Sequence, residues 1–167
     1  MQGRHKRAID PMTLLRKLRA LRSIGQLGRA RLTEAFVLSG LVPLGFRCLG
    51  VPRTQALLRS WALSRPHKKT HDCAYAIRTS SLALRLLRRR KVTAGTCLSR
   101  SLILWAILLR QGIHTDLRIG FRKQAGKIEG HAWVEWNGRP LNESAARIRT
   151  YTVSENLTSF DEFRHSI

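Results

Sequence analysis

At 167 residues and 43% apolar composition, the chain can build one domain with a real core and is too apolar to be a disordered polymer. Lys and Arg number 31 against 10 Asp and Glu, a formal charge of +21, so its field attracts nucleic acid, anionic head groups or acidic peptides without choosing among them. Three widely spaced cysteines, Cys48, Cys73 and Cys97, exclude a disulfide framework and point to free thiols in a reducing, cytoplasmic setting.

The N-terminus runs basic through Arg4, His5, Lys6 and Arg7 with no cleavable apolar core, which is not the pattern of a secretory signal. Over residues 11–39, Leu14, Leu15, Leu18, Leu21, Ile24 and Leu27 recur at helical spacing opposite Arg16, Lys17, Arg19 and Arg22, predicting one or two amphipathic helices. Pro11 suits a first helical turn, and Gly40 with Pro43 predicts the stop. The longest apolar run, residues 35–46, is interrupted by Gly40, Pro43 and Gly45, whereas a membrane span needs about 20 unbroken residues. It is expected as a buried helix followed by a bent connection. A second helix is predicted over 53–64, ended by Pro66. A third is predicted over 72–91, with Ala76, Ile77, Leu82, Leu84 and Leu86 inward and a basic end, Arg88 to Lys91, that complements a helix C-terminus.

The texture changes after Val92. Residues 93–97 form a short turn opening an apolar helix over 98–110, closed by Gly112. Leu117, Ile119 and Phe121 alternate with Arg118, Gly120 and Arg122, the period of a half-buried strand. Residues 125–130 are expected as loop and 131–136 as a second strand. Asn137-Gly138 signals a tight hairpin, after which 139–143 returns as a third strand. A short helix is expected within 155–163. The fold class is therefore α+β: a helical N-terminal region, 1–92, forming one compact unit with a core at 93–167 built from one long helix and a small antiparallel sheet.

Cys97 stands at the start of that helix, where unpaired N–H groups and the dipole favour a thiolate and can hold an oxyanion. A cysteine there is also a common small buried hydrophobe. His131 opens the second strand, and a strand beside a helix N-terminus can bring an imidazole to a thiol and activate it. A lone histidine at a strand edge would otherwise have no role. A third group should orient the ring. Counting back from the two-residue turn pairs Trp133 with Asn142 and Ala132 with Glu143, so strict register puts Asn142 on the His131 face. A bulge, or a strand end at Asn142, turns Glu143 to the histidine instead. Trp133 and Trp136 alternate in facing, one for the core and one for a peptide groove. His67, His71 and Cys73 have the spacing of a partial zinc site, but no fourth ligand is evident, so neither metal nor cofactor is expected.

Cys97-Leu98-Ser99-Arg100-Ser101-Leu102, Gly112-Ile113, Leu117-Arg118-Ile119-Gly120, Gly130-His131-Ala132-Trp133-Val134-Glu135 and Gly138-Arg139-Pro140-Leu141-Asn142-Glu143 together resemble the lasso-peptide leader peptidases. These are the microcin-maturation "B" proteins of the transglutaminase-like superfamily. The close match covers roughly residues 95–145, and the N-terminal half matches only in being basic and leucine-rich. The resemblance implies a core of transglutaminase and papain type. It also implies a cysteine peptidase that cuts the leader from a ribosomally made precursor through a thioester, so that a separate cyclase can close the core peptide. Cys97 then matches the nucleophile and His131 the general base. Glu143 stands where the family usually has aspartate, with Asn142 as the alternative third member. Arg100 matches a family arginine expected to pair with an acid or a strand carbonyl, and with Trp133 it is a substrate-binding candidate. No strand-rich leader-recognition domain precedes residue 93, so the resemblance implies a stand-alone peptidase that depends on a separate small recognition protein. Three other readings compete. The first keeps the fold and changes the reaction to acyl transfer, with an amine replacing water, or to amidase chemistry. A nucleic-acid-binding role is not expected, because no recognition motif is present and the basic residues lack interleaved aromatics. Membrane-surface contact through the N-terminal amphipathic helix is the third.

Overall fold

A computed structural model describes residues 26–64, 72–89 and 96–153. In chain order its elements are helices α1 (Gln26–Ser64), α2 (Cys73–Arg89) and α3 (Cys97–Arg110), strands β1 (Asp116–Gln124), β2 (Lys127–Trp136) and β3 (Arg139–Pro140), a short helix α4 (Ala145–Ile148) and strand β4 (Thr152–Val153). The architecture is α+β, with helices packed on one antiparallel sheet of order β3-β2-β1-β4.

The expected stop at Gly40 and Pro43 does not occur. Both sit inside α1, and the break comes at Gly50, whose φ of 79° and ψ of 171° are non-helical. Helical packing through Ala35, Leu38 and Val42, all buried, carries the chain past the missing N–H of Pro43. Pro52 then falls in the first turn of the outgoing half, where no N–H is needed, and Thr54 Oγ1 donates to the Gly50 carbonyl at 2.7 Å. The segment expected as a buried helix is only half buried. Phe36, Val37, Leu41 and Leu44 are 50–57% exposed. The two halves of α1 enclose an apolar groove of about 630 Å³ lined by Val37, Leu41, Leu44, Leu57 and Trp61 among others. By length and composition alone, Arg29–Ser64, kinked at Gly50, is among the described residues long and apolar enough to cross a membrane, with 22% of its most apolar window buried. Gly40, Pro43 and Gly45 therefore do not interrupt the helix in the way the sequence predicts.

The core lies between the helices and one sheet face. Leu38, Val42 and Leu58 of α1, Ala76, Ile77 and Leu84 of α2, and Leu102, Ile103, Ala106 and Ile107 of α3 form one cluster with Val134 of β2. Leu82, expected inward on α2, is 43% exposed, and Leu86 lies outside the residues whose side chains are described. The buried residues of α3 are apolar except Ser99, whose hydroxyl donates back to the Thr96 carbonyl, and Ser101, which meets the sheet. Gly112 at φ 74° ends the helix.

β1 and β2 pair in long register, Asp116 opposite Glu135 through Gln124 opposite Lys127. The stretch expected as loop, 125–130, is therefore mostly strand. Only Ala125 and Gly126 turn, both with positive φ (51° and 77°), a hairpin signal that an alanine conceals. Asn137 (φ 50°) and Gly138 (φ 71°) make the second tight turn as the sequence predicts. β3 is shorter than expected and ends at Pro140. The Leu141 N–H still donates to the Val134 carbonyl at 2.9 Å, but the returning Val134 N–H is taken by Asn142 Oδ1, also at 2.9 Å. A side-chain amide thus replaces the next main-chain acceptor and the ladder stops. α4 and β4 were not expected, and the helix expected within 155–163 lies outside the described residues.

Alternation along β2 separates two environments. Val134 and Trp136, with Leu117 of β1, pack into the helical core. His131 and Trp133 point the other way and meet Tyr151, which precedes β4. Gly120, opposite His131 in register, leaves room for this layer. A Cβ there would lie 2.9 Å from the Trp133 ring and 3.0 Å from both Tyr151 Cβ and the Thr152 carbonyl oxygen.

Candidate active site

α3 starts at Cys97 because Thr96 caps it. Thr96 is extended (φ −62°, ψ 171°), its Oγ1 accepts from the Ser99 N–H at 3.4 Å, and its carbonyl accepts from the Arg100 N–H at 3.3 Å. The N–H groups of Cys97 and Leu98 have no acceptor within the helix. Cys97 itself is half buried and a free thiol.

One turn further along the same helix face stands Ser101, fully buried. Its Oγ donates to the Ala132 carbonyl at 2.9 Å and accepts from Asn142 Nδ2 at 2.9 Å. With the Asn142 bond to Val134, these contacts clasp the first half of α3 to β2 beside His131. The thiol-bearing residue is one turn, and the imidazole-bearing residue one position, from the same hydrogen bond.

His131 is 8% exposed, and its Nε2 lies 2.9 Å from Glu143 Oε2. The carboxylate accepts, so Nε2 carries the proton and Nδ1 is the nitrogen left for a thiol or substrate. Behind the imidazole, the Tyr151 ring centroid lies at 5.3 Å and the Trp133 centroid at 6.2 Å, so aromatic packing as well as the hydrogen bond restrains the ring. Of the two groups that register left open, Glu143 is the one bonded to His131. Asn142 is occupied by Val134 and Ser101, and by ending the ladder it turns the next residue towards the imidazole.

Three donors converge on Glu143. The Ser144 N–H reaches Oε1 at 3.1 Å, while His131 Nε2 and Arg147 Nη1, the latter at 3.3 Å, share Oε2. Burial pushes the Glu143 carboxyl upward, but the Ser144 N–H, the His131 bond and the Arg147 charge outweigh it and hold the group below the ordinary carboxylate range.

Trp133 does not line a groove. It is fully buried, its Nε1 donates to Glu135 Oε1 at 2.7 Å, and it backs His131 because alternation puts both on one face. Trp136 is half buried against the helical core. Arg100 is half buried in the first turn of α3. His67 and His71 lie outside the described residues, and among those described no group of three or more His, Cys, Asp and Glu is gathered as a metal site. Sequence reasoning gave no role to Ser101, Arg147 or Tyr151. Ser101 alone left a signal: a hydroxyl on an otherwise apolar helix face, one turn from Cys97, calls for a buried partner.

Among known families, the chain matches the one described as the transglutaminase-like superfamily over residues 40–156. No curated protein and no solved structure matches it. The matched stretch begins within α1 and continues past β4, so it takes in the helices together with the sheet. Superfamily members usually work through a cysteine, which is consistent with peptidase or acyltransferase chemistry. By this match over most of its length, the chain belongs to the transglutaminase-like superfamily.

Proposed function

We propose that this chain is a cysteine peptidase that removes the leader of a ribosomally made lasso-peptide precursor through a thioester on Cys97. The observation that carries the chemistry is the 2.9 Å bond between His131 and Glu143, next to the clasp that ties the Cys97 helix to β2. The leader-peptidase subtype rests on the run of short motifs between residues 95 and 145.

In this reading His131 Nδ1 takes the proton from Cys97 Sγ, and the thiolate attacks the carbonyl at the leader–core junction. The N–H groups of Cys97 and Leu98 hold the oxyanion. The imidazolium, steadied by Glu143, gives its proton to the departing core amine. A water, deprotonated by His131, then releases the leader acid and restores the thiol. No metal or cofactor enters these steps. The partners would be the precursor, a separate small recognition protein that delivers the leader, and the cyclase that takes the freed core amine, all in the cytoplasm.

The test is incubation of the purified protein with its precursor and recognition protein, read by mass spectrometry. Cys97→Ala should fold and leave the precursor intact, and cleavage by that variant at the wild-type rate overturns the reading. Glu143→Gln should slow cleavage more than Asn142→Ala does per folded molecule. Equal small losses would mean that neither orients the imidazole. Superfamily membership favours one second reading, transfer of the acyl group to an amine. A product carrying the mass of an added amine in place of hydrolysis would select it.

A further inference from the structure

We propose that Arg147 is a positioning residue that sets the basicity of His131 by sharing with it one oxygen of Glu143. As a statement about catalysis this rests on the peptidase reading; as a statement about electrostatics it does not.

The geometry is specific. His131 Nε2 and Arg147 Nη1 approach the same atom, Glu143 Oε2, at 2.9 and 3.3 Å, while Oε1 is taken by the Ser144 N–H. A carboxylate bonded to histidine alone would place its full charge beside the imidazolium and make the ring a strong base. Here a permanent cation draws on the same oxygen, so the imidazolium is stabilised less. Arg147 is held at this position by the chain around it. Ser144 caps α4 by accepting from the Arg147 N–H at 3.3 Å, so the residue that follows Glu143 also aims the arginine.

Among the described residues, charged and titratable groups from several elements contact the imidazole or its carboxylate. The segment after β3 contributes Glu143, α4 contributes Arg147 through that carboxylate, and the approach to β4 contributes Tyr151. On the same sheet face Arg122 of β1 and Glu129 of β2 pair at 2.6 Å, with the Arg122 guanidinium 4.7 Å from the centre of the Tyr151 ring. Among the described residues, Arg147 is the cation bonded to the carboxylate of the His131–Glu143 pair. Its side chain is 46% exposed, so its influence is screened by solvent and falls with salt. The role fits a histidine that must both take a proton from a thiol and give one to an amine, for which too strong a base is as unsuitable as too weak a one.

The experiment is an NMR titration of the His131 ring in the full chain, without substrate. Arg147→Gln should move the His131 midpoint upward from wild type at low salt, a difference that shrinks as salt is raised. Arg147→Lys should restore the wild-type midpoint, and Glu143→Gln should move it downward. A midpoint that stays put or falls in Arg147→Gln overturns the proposal, because it would mean that the arginine only holds the carboxylate in place. No change in Glu143→Gln overturns it as well, by showing that the pair is absent in solution. The same variants with precursor separate the two readings. The predicted midpoints with no hydrolysis by any variant would remove the peptidase and leave the electrostatic device standing.

Discussion

The clasp between α3 and β2 makes Ser101→Ala the most informative single change. The substitution removes one oxygen from a fully buried position and leaves two partners stranded, the Ala132 carbonyl and Asn142 Nδ2, each 2.9 Å from the lost hydroxyl. A buried group deprived of its partner costs about 1–3 kcal/mol, and alanine fills nearly the volume of serine, so little cavity is added. We expect about 2–4 kcal/mol of lost stability, a large fraction of the margin of an ordinary domain and about 5–15 °C in Tm for a chain of this size. Thermal and urea unfolding followed by far-UV circular dichroism measure it. Asn142→Ala breaks the same contact from the other side and also strands the Val134 N–H. The double variant should therefore lose at least about 0.5 kcal/mol less than the sum of the two singles. A single Ser101→Ala loss below about 0.5 kcal/mol together with strict additivity in the cycle would refute the clasp.

Glu143 supplies a pH prediction. Its carboxyl is held below the ordinary range in the folded chain, so the stability it contributes is present above the unfolded-state value and is lost as pH falls through the folded one. Unfolding followed from neutral pH down through the acidic range should show a shallower decline in Glu143→Gln than in wild type, and parallel curves would contradict the assignment. Gly120→Ala introduces a methyl 2.9–3.0 Å from Trp133, Tyr151 and the Thr152 carbonyl, so it should cost about 1–3 kcal/mol and alter the near-UV aromatic signal, with denaturant titration as the check. Gly50→Ala forces a side chain into φ 79°, ψ 171°, a region left to glycine, and should cost about 1–3 kcal/mol in the same assay while leaving the near-UV signal unchanged.

Where periodicity and turn chemistry agree, the fold was readable from residues. The apolar helix after Cys97, the alternating strand from Leu117 and the Asn137-Gly138 turn each satisfy a local rule that tertiary packing reinforces. The misreadings occur where packing overrides a local rule. Proline and glycine inside α1 are tolerated because the helix around them is anchored on the core, and the true break at Gly50 carries no louder a signal than Gly40 or Gly45. The hairpin at Ala125-Gly126 hides because alanine seldom adopts positive φ. Cys97, His131 and Glu143 were identified as candidates from residue type and order. The choice between Glu143 and Asn142 was open because register counting cannot foresee a side chain standing in for a main-chain acceptor. Arg147 and Tyr151 left no trace in the sequence, since their place depends on a short helix and an edge strand too brief to show a period.

The half-covered flank of α1 has a bearing on how the molecule behaves among its own copies. Leucines and a phenylalanine that face solvent pull neighbouring molecules together at contact, while a formal charge of +21 holds them apart from farther away. Dissolved salt shortens the reach of the repulsion to about 10 Å at 0.1 M and leaves the adhesion almost untouched. Colloidal behaviour should therefore run opposite to that of proteins that salt in: monodisperse in dilute buffer and increasingly self-associating as electrolyte is added, with Leu41 and Leu44 as the first positions at which a polar replacement would restore a single species.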